Sequence, residues 1–174
     1  MSSSIRDKLY LPIVGAQLLG MLLVDLVPFY PNSLWQPPSS PLHSLVAFRE
    51  WWTVQSGDPY FASYTHEPWF DAFLYVELLV QLPLTVYLAC KLGSLKPTSG
   101  ATELAALVYA CVTSMGASTC CYDIWHMGVD KVSAENKSQL FWGTYLPFAA
   151  IPALMAVDMY LRLMARVQGP SKKI

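Results

Sequence analysis

The chain has 174 residues, of which 54% are apolar and 13% are charged, and its formal net charge is −1 at pH 7. Soluble domains carry about 25% charged residues, so this composition excludes an ordinary soluble protein and indicates a membrane protein. No basic run stands out before the last residues, so no nucleic-acid partner is expected. The four cysteines show neither zinc-ligand spacing nor a disulfide framework, and no metal site or cofactor is expected.

Four apolar segments are long enough to cross a lipid bilayer, which takes about 20 mostly apolar residues. They predict an all-α membrane protein, a four-transmembrane-helix bundle in which residues 1–174 form a single domain. The predicted spans are residues 9–29, 69–89, 104–127 and 140–164. Lysine and arginine outside the spans are more frequent on the side of the two termini. Both termini are therefore expected in the cytosol, and the loops at the other end in the lumen.

The first span carries Gln17, Met21 and Asp25 at steps of four residues, and therefore near one helix face. Asp25 lies close to the luminal end of this span. It either caps the helix in contact with water or belongs to a site inside the membrane, and the sequence leaves both interpretations open.

A long luminal loop follows the first span. Leu45, Phe48, Trp51 and Trp52 recur at helical spacing and predict a short interfacial helix over residues 41–55, lying on the bundle as a lid. The Gly57-Asp58-Pro59 sequence is expected to end this helix as a turn.

The second span contains a glutamate, Glu77, inside an apolar run, and the presence of a carboxyl group there has to be explained. An acidic residue at the centre of a membrane helix costs about 2.5–3.5 kcal/mol, so Glu77 is expected to face a cavity or a partner rather than lipid. Gln81 lies one turn further along the same helix face. Pro83 cannot donate a hydrogen bond to the carbonyl of Leu79, which predicts a kink beside the acid.

Polar residues in the third span follow one helix face, with Thr119, Tyr122, Asp123 and His126 at positions i, i+3, i+4 and i+7. Such a stripe more often holds helices together than performs chemistry, but a carboxyl group within it favours a functional site. Asp123 is therefore a candidate catalytic residue, and Thr119 and His126 are candidate ligand contacts. The alternative for His126 is an amphipathic ring at the membrane edge.

The fourth span contains Pro147 and Pro152, which predict a kinked or broken helix. Tyr145 precedes the first proline and can offer a hydroxyl group inside the bundle, although tyrosine is also common at membrane interfaces. Asp158 and Arg162 are four residues apart and are expected to form an ordinary helix pair.

Four of these polar residues are predicted at a similar depth. With a rise of about 1.5 Å per residue, Asp25, Glu77, Asp123 and Tyr145 all fall in the luminal half of their spans. Apolar walls with a few polar groups are typical of a site for a hydrophobic small molecule. Two carboxylates close together would share one proton and supply an acid and a base to the same pocket.

Several short motifs occur along nearly the whole chain in a particular order. They are Asp25-Leu26, Gly57-Asp58-Pro59, Pro68-Trp69-Phe70, Glu77-Leu78, Gln81-Leu82-Pro83 and the run TYLPFAAIP from Thr144 to Pro152. Together they resemble the EXPERA family, most closely its sigma-2 receptor branch, which is related to emopamil-binding protein, a sterol double-bond isomerase. The resemblance implies a bundle of four or five helices in the endoplasmic reticulum membrane, an occluded luminal-side pocket for sterols and cationic amphiphiles, and a homodimer.

The resemblance also implies roles for individual residues. Glu77 would pair with a ligand amine or donate a proton, Asp25 would hydrogen-bond Glu77, and Gln81 and Tyr145 would line the pocket. For location, the last residues, from Ser171 to Ile174, approximate a dilysine retrieval signal of the endoplasmic reticulum.

Two functions of different classes follow. The first is an enzyme that isomerises a double bond, cyclises or opens an epoxide in a sterol, terpenoid or polyene, with Glu77 as general acid and Asp25 or Asp123 as base. The ligand contacts expected for it are Gln81, Tyr145, Gln17, Thr119 and His126. The alternative is a non-catalytic sterol-binding or trafficking regulator of the endoplasmic reticulum, similar to the sigma-2 receptor. The three carboxyl groups favour the enzyme.

Overall fold

The structure, a computed structural model, describes residues 3–169. The retrieval-like signal from Ser171 to Ile174 lies outside the described residues. Across residues 3–169, all regular secondary structure is helical. Four helical segments are long and apolar enough to cross a membrane: Ile5–Asp25, Pro68–Gly93, Gly100–His126 and Ala134–Gln168. The predicted all-α, multi-pass membrane fold with four spans is therefore confirmed, and the sidedness of the termini stays a prediction.

Within the described part of the chain, eight α-helices follow one another. They are α1 Ser3–Gly20, α2 Asn32–Trp35, α3 Ser44–Ser56, α4 Pro68–Val76, α5 Leu82–Gly93, α6 Gly100–His126, α7 Ala134–Gln139 and α8 Leu146–Gln168. Three π-turns extend or join them, at Met21–Asp25, Glu77–Gln81 and Leu140–Tyr145, and a short 3-10 turn covers Val27–Phe29. The first span ends four residues before the predicted residue 29, because Pro28 lacks the N–H that a further helical turn would need.

Each π-turn lies shortly before a proline, namely Pro28, Pro83 or Pro147. In each case the N–H that follows the turn bonds to the carbonyl five residues earlier. Proline has no N–H, and its ring collides with the carbonyl four residues back, so a widened turn relieves the conflict. The kink predicted beside Glu77 thus takes the form of a π-turn that begins at Glu77. Pro152, in contrast, lies inside the continuous helix α8, so the fourth span is not broken there.

Two apolar clusters hold the helices together. The first lies near the end of the bundle where α1 begins and α8 ends, which we call the termini end. It consists of Val14, Leu88, Leu92, Ala106, Tyr109, Ala110, Met155 and Met159. The second lies toward the other end, which we call the loop end because it carries α3 and α7. It consists of Tyr60, Phe70, Leu74, Cys120, Ile124, Val132 and Leu140.

Ion pairs join the spans at the termini end. Arg162 hydrogen-bonds both Asp158, four residues before it, and Asp7 of α1, and the side chains of Arg162 and Asp7 are 8% and 4% exposed. Arg166 donates to both carboxylate oxygens of Glu103 on α6, at 2.6 and 3.0 Å. The predicted pair of Asp158 and Arg162 is therefore present, but it belongs to a network that also ties the first span to the fourth.

Helix α3 corresponds to the predicted interfacial helix and packs against the π-turn that ends the first span. Gly57 ends it in the left-handed conformation, with φ of 64°. A Cβ atom at this glycine would lie 2.0 Å from Nδ2 of Asn136 on α7, so the close approach of α7 also requires glycine here. The residue after this turn, Asp58, is thereby placed against the bundle.

Candidate functional site

A cavity of 480 Å³ lies within the loop-end half of the bundle. Its walls are mainly apolar and include a group of aromatic side chains, Phe48, Trp52, Phe61, Phe70, Phe73 and Phe148. The polar and acidic side chains that line it are Gln17, Asp25, Asp58, Glu77, Gln81, Thr113, Thr144 and Tyr145. A volume of this size, with apolar walls and a few polar groups, is characteristic of sites for small organic molecules.

Two carboxyl groups from different spans meet in this cavity. Glu77, at the start of its π-turn, is 9% exposed, and Asp25, at the end of the first π-turn, lies beside its carboxyl group in the same cavity. Gln17, two turns before Asp25 on the first span, donates from Nε2 to Oε1 of Glu77 at 3.1 Å. Two neighbouring carboxyl groups can share one proton, and such a pair can both donate and accept a proton.

Gln81 lies at the other end of the same π-turn as Glu77. It is 7% exposed, and its Nε2 donates to Oγ1 of Thr113 on α6 at 2.8 Å. Thr85 donates to the backbone carbonyl of Gln81 at 2.6 Å, an acceptor beside the Pro83 kink. The amide is therefore held by a neighbouring span, and it places a polar group on the cavity wall toward the termini end.

Asp58 is a third carboxyl group of the cavity, although the sequence predicts only a turn at this position. It is 1% exposed; its Oδ2 accepts a hydrogen bond from the hydroxyl of Tyr145 at 2.9 Å, and its Oδ1 accepts one from the N–H of Tyr60 at 3.0 Å. Burial raises the pKa of Asp58 to about 6, although these hydrogen bonds lower it. The sequence feature that could have identified Asp58 as a cavity residue is the Gly57-Asp58-Pro59 motif, which is one of the motifs that carry the family resemblance.

The structure does not bring Thr119, Asp123 and His126 into the cavity. The cavity faces a stripe of α6 that consists of Val112, Thr113, Gly116, Ala117 and Cys120. At 3.6 residues per turn, the predicted polar stripe is turned away from this one by roughly 100°. Thr119 donates to the carbonyl of Met115 on its own helix at 3.0 Å, and His126 is exposed and stacks on Tyr122 with ring centroids 4.2 Å apart.

Asp123 holds the loop that carries Asp58. Its Oδ2 accepts a hydrogen bond from the Tyr60 hydroxyl at 2.7 Å, and the ring of Tyr60 stacks on Phe70 with centroids 4.7 Å apart. Tyr60 in turn donates its backbone N–H to Asp58. The position of Asp123 is therefore that of an anchor for the wall of the cavity rather than of a group that reaches its contents.

Comparison with known proteins agrees with this architecture. A family model described as EXPERA (EXPanded EBP superfamily) matches residues 44–159, a range that contains Asp58, Glu77, Gln81 and Tyr145. The chain is also 29% identical over 172 residues to the Schizosaccharomyces pombe (strain 972 / ATCC 24843) protein "Efficient mitochondria targeting-associated protein 19". That similarity covers 97% of this chain and 84% of the yeast protein. The chain therefore belongs to the EXPERA family, as the motifs predicted.

Proposed function

We propose that the chain binds a sterol, terpenoid or polyene in the cavity and performs acid/base chemistry on it, either double-bond isomerisation, cyclisation or epoxide opening. The observation that carries the proposal is the contact between the carboxyl groups of Glu77 and Asp25 inside an apolar cavity of 480 Å³. Charged groups inside membrane spans are costly and mark functional sites. A structural role alone would not require two acids to face the same empty space.

The residues of the cavity have complementary roles in this chemistry. The protonated member of the pair, which we assign to Glu77, donates its proton to an alkene carbon or an epoxide oxygen. The aromatic walls face the cation that forms and stabilise it through their π faces. Asp25 or Asp58 then accepts a proton from a neighbouring carbon, and Asp58 here has the role of base that the sequence predicts for Asp123. An isomerisation adds one proton and removes one, so it consumes no co-reactant.

Product formation by purified protein tests the enzyme directly. Wild-type protein in detergent or nanodiscs is incubated with a panel of sterols, terpenoids and epoxides, and products are identified by mass spectrometry. Replacing Glu77 by Gln keeps the shape but removes the proton, and turnover should fall by about 10²–10⁴-fold. Asp130→Asn removes an exposed carboxyl group at the same end and serves as the matched control. Glu77→Gln protein that is folded and turns over substrate at the wild-type rate would show that the assignment is wrong.

A second candidate function is a non-catalytic sterol-binding or trafficking regulator in the endoplasmic reticulum membrane. The name of the yeast relative supports a role in trafficking, because that name refers to mitochondria targeting. The same cavity would then hold a lipid without changing it. A labelled sterol that binds wild-type protein, binds Glu77→Gln protein more weakly and is recovered unchanged would support this candidate. Any product formed by purified protein would exclude it.

A further inference from the structure

Arg49 is a buried cation at the loop end of the bundle. Two other basic residues lie at this end: Lys131 is exposed, and Lys137 caps α6 by donating to the carbonyl of Met127. Arg49, in contrast, is only 2% exposed. A buried arginine remains protonated, and it is costly unless other groups stabilise its charge. The burial of Arg49 in α3 therefore needs an explanation.

The loop that follows α3 fixes the guanidinium group in place. Nη2 donates to the backbone carbonyl of Ser63 at 3.0 Å. The carbon Cζ lies 4.2 Å from the ring centroid of Tyr64 and 5.6 Å from that of Phe61, as expected for cation–π contacts. Nε and Nη1 have no hydrogen-bond partner among the described residues. These contacts fix the position of the guanidinium group, but among the described residues no carboxylate forms a direct ion pair with it.

Arg49 lies directly behind the wall of the cavity. Phe48 and Trp52 on the same helix line the cavity, and so does Phe61, on which the guanidinium group packs. The carboxyl groups whose charges act on Arg49 are Asp25 and Asp58, both cavity residues. The same aromatic side chains that separate Arg49 from the cavity also keep water from screening its charge.

Three acidic side chains and Arg49 together determine the net charge of the cavity. With one proton shared between Glu77 and Asp25, as the proposed chemistry requires, this pair carries one negative charge, and ionised Asp58 carries another. Arg49 contributes one positive charge, so the group has a net charge of −1 instead of −2. We infer that Arg49 is the internal counter-ion of the cavity and that it lowers the preference of the site for cationic ligands over neutral ones. This inference rests on the proposed function, and it predicts that neutral sterols and terpenoids with a hydroxyl, epoxide or alkene group compete better with cationic ligands than they would without Arg49.

A pair of steroids with the same rings tests this selectivity. One probe carries a 3-hydroxyl group and the other a 3-amino group, which is protonated at pH 7, and the dissociation constants of both are measured with each variant. Charges separated by about 10 Å at an effective dielectric constant of about 20 change an affinity by roughly tenfold or more. Arg49→Gln and Arg49→Met remove the charge, and Gln keeps a donor for the Ser63 carbonyl. Both should raise the affinity for the amine relative to the alcohol about tenfold.

The controls separate charge from structure. Arg49→Lys keeps the charge and should leave the ratio of the two affinities near its wild-type value, even if both probes bind less tightly. Lys131→Met removes an exposed charge at the same end and should not change the ratio. An unchanged ratio in both uncharged Arg49 variants, or an equal change in Arg49→Lys, would overturn the inference while leaving the proposed function intact. Wild-type protein that binds neither steroid would instead contradict the proposed function, and the inference with it.

Discussion

The hydrogen bond between Tyr145 and Asp58 gives a sharp test of the site geometry. Tyr145→Phe removes a single oxygen atom and keeps the ring that packs on Tyr60, with centroids 5.7 Å apart. The lost hydroxyl donates to Asp58 Oδ2 at 2.9 Å, and Asp58 is 1% exposed, so water cannot replace the donor freely. A hydrogen bond to a charged acceptor contributes about 1.5–3 kcal/mol. The free energy of unfolding at pH 7 should fall by this amount.

The assay is thermal unfolding of purified protein in detergent at several pH values. For a chain of this size the loss corresponds to a fall of about 3–12 °C in the unfolding midpoint. Because the hydrogen bond stabilises the ionised form of Asp58, its removal should also raise the pKa of Asp58 above its value of about 6. The destabilisation should therefore shrink below pH 5, where Asp58 is protonated. Tyr160→Phe, at a side chain that is 52% exposed, is the control and should change stability by less than about 0.5 kcal/mol.

Two results would refute this reasoning. The first is a Tyr145→Phe protein that is as stable as wild type at pH 7. The second is a loss of stability that is unchanged when Asp58 is replaced by Asn, because the effect would then not pass through the carboxylate. Measuring both single variants and the double variant gives the coupling energy between the two side chains.

Three further predictions concern stability. The free energy of unfolding of wild type, relative to that of Asp58→Asn, should fall by up to about 3 kcal/mol as the pH rises from about 4 to about 6. The reason is that the pKa of Asp58 is about 6 in the folded chain and 3.8 in the unfolded chain, so the folded chain keeps its proton to a higher pH. A difference in unfolding free energy that does not change with pH would contradict this. Gly57→Ala, at φ of 64° and against a neighbouring side chain, should cost about 1–3 kcal/mol in thermal unfolding, whereas Gly15→Ala, with open space around it, should not. Arg162→Leu removes the ion-pair partner of the buried Asp7 and leaves it only the hydrogen bond from the Thr98 hydroxyl, so it should cost about 3–5 kcal/mol. An unfolding midpoint equal to that of wild type would show that the ion pair is not needed.

Those parts of the fold and of the cavity that depend only on regular helix geometry could be predicted from the sequence. Span positions follow from the length of apolar runs, because a helix must cover the hydrocarbon thickness. The spacing of Gln17 and Asp25, and of Glu77 and Gln81, placed each pair on one helix face, and in the structure all four side chains line the cavity. The proline beside Glu77 indicated a distortion of the helix, and only the form it takes, a π-turn, was left open.

Features that depend on tertiary docking could not be predicted. Asp58 lies in a loop, and no periodicity shows where a loop folds back; its position depends on Tyr60 bonding Asp123 and on the contact of Gly57 with α7. The sequence predicts that the polar stripe containing Asp123 faces the cavity, whereas the structure turns this stripe away from it. A polar stripe alone does not show which side of a helix faces the other spans. The burial of Arg49 is invisible in the sequence for a similar reason, since an arginine in an interfacial helix is usually solvated.

The central claim is that the cavity at Glu77 binds a hydrophobic small molecule. Mass spectrometry of the lipids extracted from gently purified wild-type and Glu77→Gln protein tests it most directly. We predict a sterol or terpenoid that co-purifies with the wild type in near-stoichiometric amount and is depleted in the variant. Extracts in which both folded proteins carry the same bulk membrane lipids, with no enriched sterol or terpenoid, would contradict the claim.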